Sequence, residues 1–204
     1  TPSFHYLLNQ HTSGHPLFTI ELLRGMQLRH EILREEGGKW VESDHLNWEK
    51  LPSRVEAVIA RRMGQLPTEY QSLLDSACVQ GDVFSVEVLS RVLDKPENDI
   101  FNWLNEEIGK RHQLINAYGV QRIGERRITN FRFRHALFQI YLYNQLNQVE
   151  KVHLHRLVGE ELETLYQNHL MKYPEMAHTL ARHFELADLR RKSVHYYSQA
   201  GKIA

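Results

Sequence analysis

Apolar positions in the first part of the chain repeat with helical spacing. Leu17, Ile20, Leu23, Met26, Leu28, Ile32 and Leu33 fall near one helical face. The pattern predicts one helix over 17–35, stopped by Gly37 and Gly38. A loop with Trp40 and Trp48 follows. Val55, Val58, Ile59 and Met63 resume the spacing behind Ser53 and Glu56, a capping-box pair, and Leu66 with Pro67 closes that helix. Thr68 and Gln71 repeat the capping pattern ahead of Leu73, Leu74, Ala77 and Cys78, which run to Gly81. A short helix over 85–93 comes next, then one opened by Pro96 that carries Ile100, Trp103, Leu104 and Ile108.

The period then shifts toward two. Segments 113–119 and 128–134 are short and β-prone, joined by a polar, glycine-containing connector. Three helices followed by a hairpin predict a winged helix. From His135 the pattern is helical again, over 136–147, 149–167, 174–187 and 190–204. Ala177, Ala181, Ala187, Ala200, Gly201 and Ala204 supply small residues where the last two helices must approach closely. Such a pair reads as one unit of a helical-repeat array. About three repeats are needed for stability, so the array is expected to continue past residue 204.

The expected fold is therefore mainly α: a helical lid bundle over 1–66, a winged-helix domain with a small β-hairpin over 67–147, and TPR-like helices over 148–204. With 204 residues, 42% of them hydrophobic, the chain can bury a sizeable core. Lys plus Arg and Asp plus Glu both number 25, so no global field draws it to nucleic acid or an anionic membrane. The single cysteine, Cys78, lies in an apolar stretch and cannot form an intramolecular disulfide. No apolar run approaches the roughly 20 residues of a membrane span, and the first residues lack the basic and apolar regions of a signal peptide. A cytoplasmic, membrane-free location is expected. The chain begins without methionine on sequence that already reads as folded, which suggests a piece of a longer protein.

Catalytic chemistry finds no foothold. The nearest approach to a phosphate-binding P-loop is "REEGGKW", where Leu33 stands in place of the first glycine and Trp40 in place of Ser or Thr. Thirteen histidines invite a metal reading, but His153 and His155 point to different sides of a helix, and His178 and His183 share a face poorly. The expectation is no catalytic residues, no metal and no cofactor held by this chain alone.

One motif stands out. In "TSGHPLF", Gly14 permits a positive φ, and Pro16 offers a flat ring at the first helical position, able to lie against a nucleobase. Taken alone, Gly-x-Pro is also simply a helix start. The order of the Gly-x-Pro helix, the "LPSRVEAVIARRMGQLP" helix, the winged helix ending in "FRFRHALFQIYLYNQL" and the segment "LARHFELADLRRKSVHYYSQAGKIA" resembles the carboxy-terminal part of STAND-type signal-transduction ATPases. That family includes large bacterial regulators coupled to transcription factors, cyclases or kinases.

The resemblance implies a nucleotide site shared with a P-loop domain absent from this sequence. Gly14, Pro16 and Leu17 would lie beside adenine, and His135 would approach the β-phosphate of bound ADP. Ala136 departs from related switches, which carry an aspartate after the histidine. As a residue, His135 reads equally well as the cap of the helix that follows it. ATP or ADP in the intact protein is the implied cofactor. The implied partners are the P-loop domain and a protein or small-molecule ligand on downstream repeats.

The wing is basic: Lys110, Arg111, Arg122, Arg126, Arg127, Arg132 and Arg134 face only Glu125. Arg126, Arg127 and Arg132 are therefore candidates for phosphate or interdomain contact. Duplex DNA is the weaker partner, because the helix that would enter the major groove carries Glu97, Asp99, Glu106 and Glu107. The leading expectation is a regulatory, non-catalytic segment that closes over nucleotide and relays its state in signalling or transcription regulation. A DNA-binding winged helix and a helical protein-interaction scaffold are the alternatives.

Overall fold

A computed structural model describes residues 2–12, 14–35 and 37–203; Ala204, one of the small residues noted above, lies outside them. The chain is mainly helical, and its described residues form two small antiparallel sheets.

Helices α1 (Pro2–Thr12) and α2 (Pro16–Leu28) are followed by strands β1 (Ile32–Arg34) and β2 (Trp40–Glu42), paired antiparallel with Ile32 opposite Glu42. The helix expected over 17–35 is thus a helix and a strand. His30 takes a φ of 57°, which breaks the helical ladder. Arg29 turns back onto Glu31 through two 2.8 Å hydrogen bonds. Ile32, a β-branched residue, then drops against Leu22 and Met26 in a small separate core. Gly37 and Gly38 belong to the hairpin turn: the Gly38 amide donates to the Glu35 carbonyl.

Helices α3 (Ser53–Met63) and α4 (Thr68–Gln80) start at Pro52 and Pro67, with no side-chain cap bond at either. The two expected capping boxes do not form. Ser53 and Thr68 already sit inside the first turn, one residue too late to cap it. Gln71 instead donates to the Met63 and Leu66 carbonyls at the end of α3, so it still serves a helix terminus. Among the described residues a capping box forms at Asn147 and Glu150, where each side chain accepts from the other's backbone amide.

From α4 the order is β3 (Val83–Ser85), α5 (Val86–Val92), α6 (Glu97–Asn102), a π-helical continuation (Trp103–Arg111), β4 (Ile115–Ile123) and β5 (Arg126–Phe133). The strands pair antiparallel in the order β3-β5-β4. Helix, strand, two helices and a hairpin make a winged-helix arrangement. Strand β3 was not expected; its three residues carry too little pattern, and pairing with β5, Phe84 opposite Phe131, is what holds them extended. Gly109 is required in the π-turn, because a Cβ there would lie 2.7 Å from the Leu104 carbonyl oxygen.

Helices α7 (Ala136–Gln145), α8 (Gln148–Tyr166), α9 (Glu175–Leu186) and α10 (Arg190–Ile203) complete the chain. Ala177 and Ala181 are fully buried where α9 meets its neighbours, whereas Gly201 faces open space and does not serve helix approach. One continuous core joins Phe18 of α2, Ile59 of α3, Leu73 of α4, Phe131 of β5, Phe138 of α7, Val158 of α8 and Phe184 of α9. No helix among the described residues is long and apolar enough to cross a membrane.

Candidate functional site

The Gly-x-Pro turn is built from local bonds. α1 ends at Thr12, which is buried and donates its hydroxyl to the Leu8 carbonyl. Gly14 takes a φ of 70°, a conformation open to glycine at little cost. The His15 amide then donates to the Thr12 carbonyl, which closes the turn. His15 is extended, as a residue before proline prefers, and Pro16 begins α2 without needing an N–H partner. The Thr19 hydroxyl lies 3.1 Å from both the Thr12 hydroxyl and the His15 carbonyl, tying the first turn of α2 to the end of α1.

This turn packs against the start of α7. His135 is the N-cap residue of α7, but its side chain makes no cap bond. Its ring instead meets His15 (centroids 5.5 Å apart, edge-on), Phe18 (5.2 Å) and Phe138 (5.6 Å). The structure therefore brings His15 and Phe18, which flank Pro16 and Leu17 in the chain, against His135, more than a hundred positions later in sequence. The capping alternative for its side chain is not realised. Pro16 and Leu17 are exposed, whereas Phe18 is buried beneath them.

Burial pushes the His135 imidazole down to about 4, with the neighbouring His15 adding to the effect and a Thr12 backbone hydrogen bond opposing it. At neutral pH the ring is uncharged. Among the described residues, neither its Nδ1 nor that of His15, both buried, has a hydrogen-bond partner. Two ring nitrogens left unsatisfied side by side are costly in a folded protein unless something else engages them. From Leu17 an exposed stripe continues along α2 through Ile20, Arg24 and Leu28, which lie on one face by helical spacing. Leu28 is 82% exposed.

The wing arginines lie elsewhere. Arg126 and Arg127 sit at the hairpin end of β5, opposite Ile123 and Arg122. Arg127 lies six residue steps from Phe133, about 20 Å along the strand, so Arg126 and Arg127 are not brought to His135. Arg132 pairs with Asp82 at 3.0 Å and lies over the Tyr118 ring at 4.2 Å; its charge is used within the winged helix. The wing itself rests on the helical segment: Gln121 donates to the Tyr166 hydroxyl, and the Tyr173 hydroxyl donates to the Arg122 carbonyl.

A second cluster escaped the sequence reading. His155 of α8 and His183 of α9 meet through their Nδ1 atoms at 2.9 Å, both buried, and the Tyr143 hydroxyl contacts His155 Nε2 at 2.9 Å. Helix-by-helix comparison of histidine spacing overlooks a pair formed between helices. A usable signal existed: His155 lies in register with the buried stripe Val158, Leu162 and Leu165, and His183 lies beside Leu180 and Phe184. Burial and the nearby Arg182 guanidinium hold both imidazoles well below their ordinary range. The pair is thus neutral, one ring donating and the other accepting. No group of three or more metal-ligating side chains occurs among the described residues.

Comparison with protein-family models, with curated proteins and with solved structures found no match.

Proposed function

We propose that this chain is a regulatory, non-catalytic segment of a STAND-like signal-transduction ATPase, working in the cytoplasm. Its α1–α2 lid and winged helix close over a nucleotide held chiefly by a P-loop domain of the same protein. The observation that carries this reading is the exposed Gly14–Pro16 turn held against His135, whose Nδ1 is buried and without a partner.

A bound ADP would supply a flat base and a charged diphosphate. Pro16 offers the base an apolar surface without a competing N–H. The unsatisfied ring nitrogen of His135 is closed off in this arrangement; a small opening of the His15 turn would expose it to a phosphate oxygen, and an approaching anion favours protonation of that nitrogen. The exposed stripe of Leu17, Ile20 and Leu28 gives the P-loop domain an apolar face to cover. Nucleotide contacts available only when lid and wing are docked favour the docked state. α10, with Val194 and Tyr197 exposed, offers the surface on which further repeats would stack and sense a ligand or partner.

Binding to duplex DNA draws less support. The hairpin is tied to Tyr166 and Tyr173, and Glu106 and Glu107 pair with Lys110 and Arg111 on the π-turn, leaving that helix little net positive charge.

The test is calorimetric titration of ADP into the protein containing the P-loop domain. Pro16→Ala and His135→Ala should each weaken binding about tenfold, roughly 1.4 kcal/mol. Unchanged affinity in both would remove the nucleotide role.

A further inference from the structure

Arg62 falls in the last turn of α3, a helix packed against both α2 and α7. Its guanidinium lies over the Phe138 ring at 5.9 Å, and His135 meets the same ring at 5.6 Å. Arg62 and His135 therefore share one aromatic neighbour. We infer that Arg62 holds the terminal phosphate of ADP when the lid and winged helix close over nucleotide. This role rests on the nucleotide reading, to which it adds a cation that answers the charge of the diphosphate.

The position of the guanidinium is set while its donors stay free. A cation above a ring face is attracted by the ring's quadrupole, a contact that consumes no N–H group. Arg62 is exposed, and among the described residues its side chain has no hydrogen-bond or ion-pair partner. Arg61, exposed on the same turn, has no ring contact among the described residues to hold it. A planar guanidinium fork matches two oxygens of one phosphate, which a lysine ammonium meets only as a point charge.

The surroundings favour an anion. Beyond the effect of burial, His15, Arg134 and Arg62 each oppose a charge on the His135 imidazole, and among the described residues no carboxylate counters them. Arg134 donates to Gln113 Oε1 at 2.8 Å, so its fork is partly used. Glu56, the acid in the first turn of α3, acts on Tyr141 instead. An unpaired arginine in a field of its own sign is relieved by negative charge, which a diphosphate supplies. Arg62 on α3, Pro16 on α2 and His135 at the start of α7 belong to three elements, so one nucleotide touching all of them favours their closed arrangement.

The experiment titrates ADP, and AMP by displacement of ADP, into the protein containing the P-loop domain. The wild type is compared with Arg62→Gln and with Arg61→Gln, which removes the same charge from the same turn. Arg62→Gln should weaken ADP at least tenfold and leave AMP, which lacks the terminal phosphate, within twofold. Arg61→Gln should leave both within twofold. Unchanged ADP affinity in Arg62→Gln overturns the inference. So does an equal loss for ADP and AMP, which would mean that Arg62 only docks the P-loop domain, and so does an equal loss in Arg61→Gln. Pro16→Ala and His135→Ala separate this failure from that of the nucleotide reading: if they weaken ADP and Arg62→Gln does not, only the role of Arg62 falls, whereas ADP binding that none of the three affects removes both. Circular dichroism checks that each variant is folded.

Discussion

Four histidines held below their ordinary range by burial, His11, His135, His155 and His183, give acid stability a direction. For His135, with an unfolded value of 6.5 and a folded value of about 4, the native state binds fewer protons than the unfolded chain between those limits. Its contribution is complete above about pH 6.5 and is lost as the pH falls toward 4. For this one residue, the loss between pH 7 and pH 5 is on the order of 2 kcal/mol. His155 and His183 shift the same way and add to it. Asp75 works in the opposite sense: burial and the nearby Glu150 raise its carboxyl from 3.8 to about 6, so acidification favours the fold through that group, by on the order of 1 kcal/mol over the same interval. Burial raises Asp82 and Glu87 too, in the same opposing direction. The histidines prevail in this balance. Urea midpoints should fall from pH 7 to pH 5, less steeply in His135→Phe and more steeply in Asp75→Asn. A midpoint that rises on acidification would contradict this account.

At the scale of elements, the helix starts separate what a sequence pattern suggests from what geometry allows. Ser53 and Glu56 have the same spacing as Asn147 and Glu150, yet only the second pair forms reciprocal bonds. The difference lies in the preceding residue. Pro52 takes the N-cap position itself and moves Ser53 into the helix. Asn147→Ala should therefore cost about 1 kcal/mol in a denaturant titration, and Ser53→Ala close to zero. Equal losses would show that the caps have been misread.

Long amphipathic stretches such as α8 and α9 were legible because one face is buried at a 3.6-residue period; the wing was legible only as two short β-prone segments, because the polar residues read as a connector are themselves strand, up to Ile123 and from Arg126. The strand β1 was hidden, since Ile32 and Leu33 fit a helical face as readily as a strand and the break depends on the positive φ at His30. Of the candidate site, the Gly14–Pro16 turn and His135 could be named from sequence. The aromatic packing of His15, Phe18 and Phe138 around that imidazole could not, because it depends on how α2 meets α7.

Across the whole molecule, one buried cluster runs through positions 66/67 and 147/148, beside the small separate core of Leu22, Met26 and Ile32. Val158 and Leu162 of α8 and Phe184 of α9 belong to the same buried cluster as Leu73, Leu89 and Phe138 of the winged helix. Ties between the two parts are polar as well: Arg91 of α5 approaches Glu161 of α8 at 3.6 Å, and the wing hairpin bonds to Tyr166 and Tyr173. Removing residues 148–203 would uncover the apolar faces of α4 and α5 that α8 now covers. Loss of a single buried leucine or phenylalanine contact surface costs about 2–5 kcal/mol, and domain stabilities are only about 5–15 kcal/mol. Losing several such surfaces at once exceeds that margin. A chain ending at residue 147 should therefore unfold without a cooperative transition and bind a hydrophobic dye, whereas the full chain should melt in one transition. A sharp, reversible melt of the shortened chain would instead mean that the winged helix is stable without α8, and that the shared core is an interface between independent units.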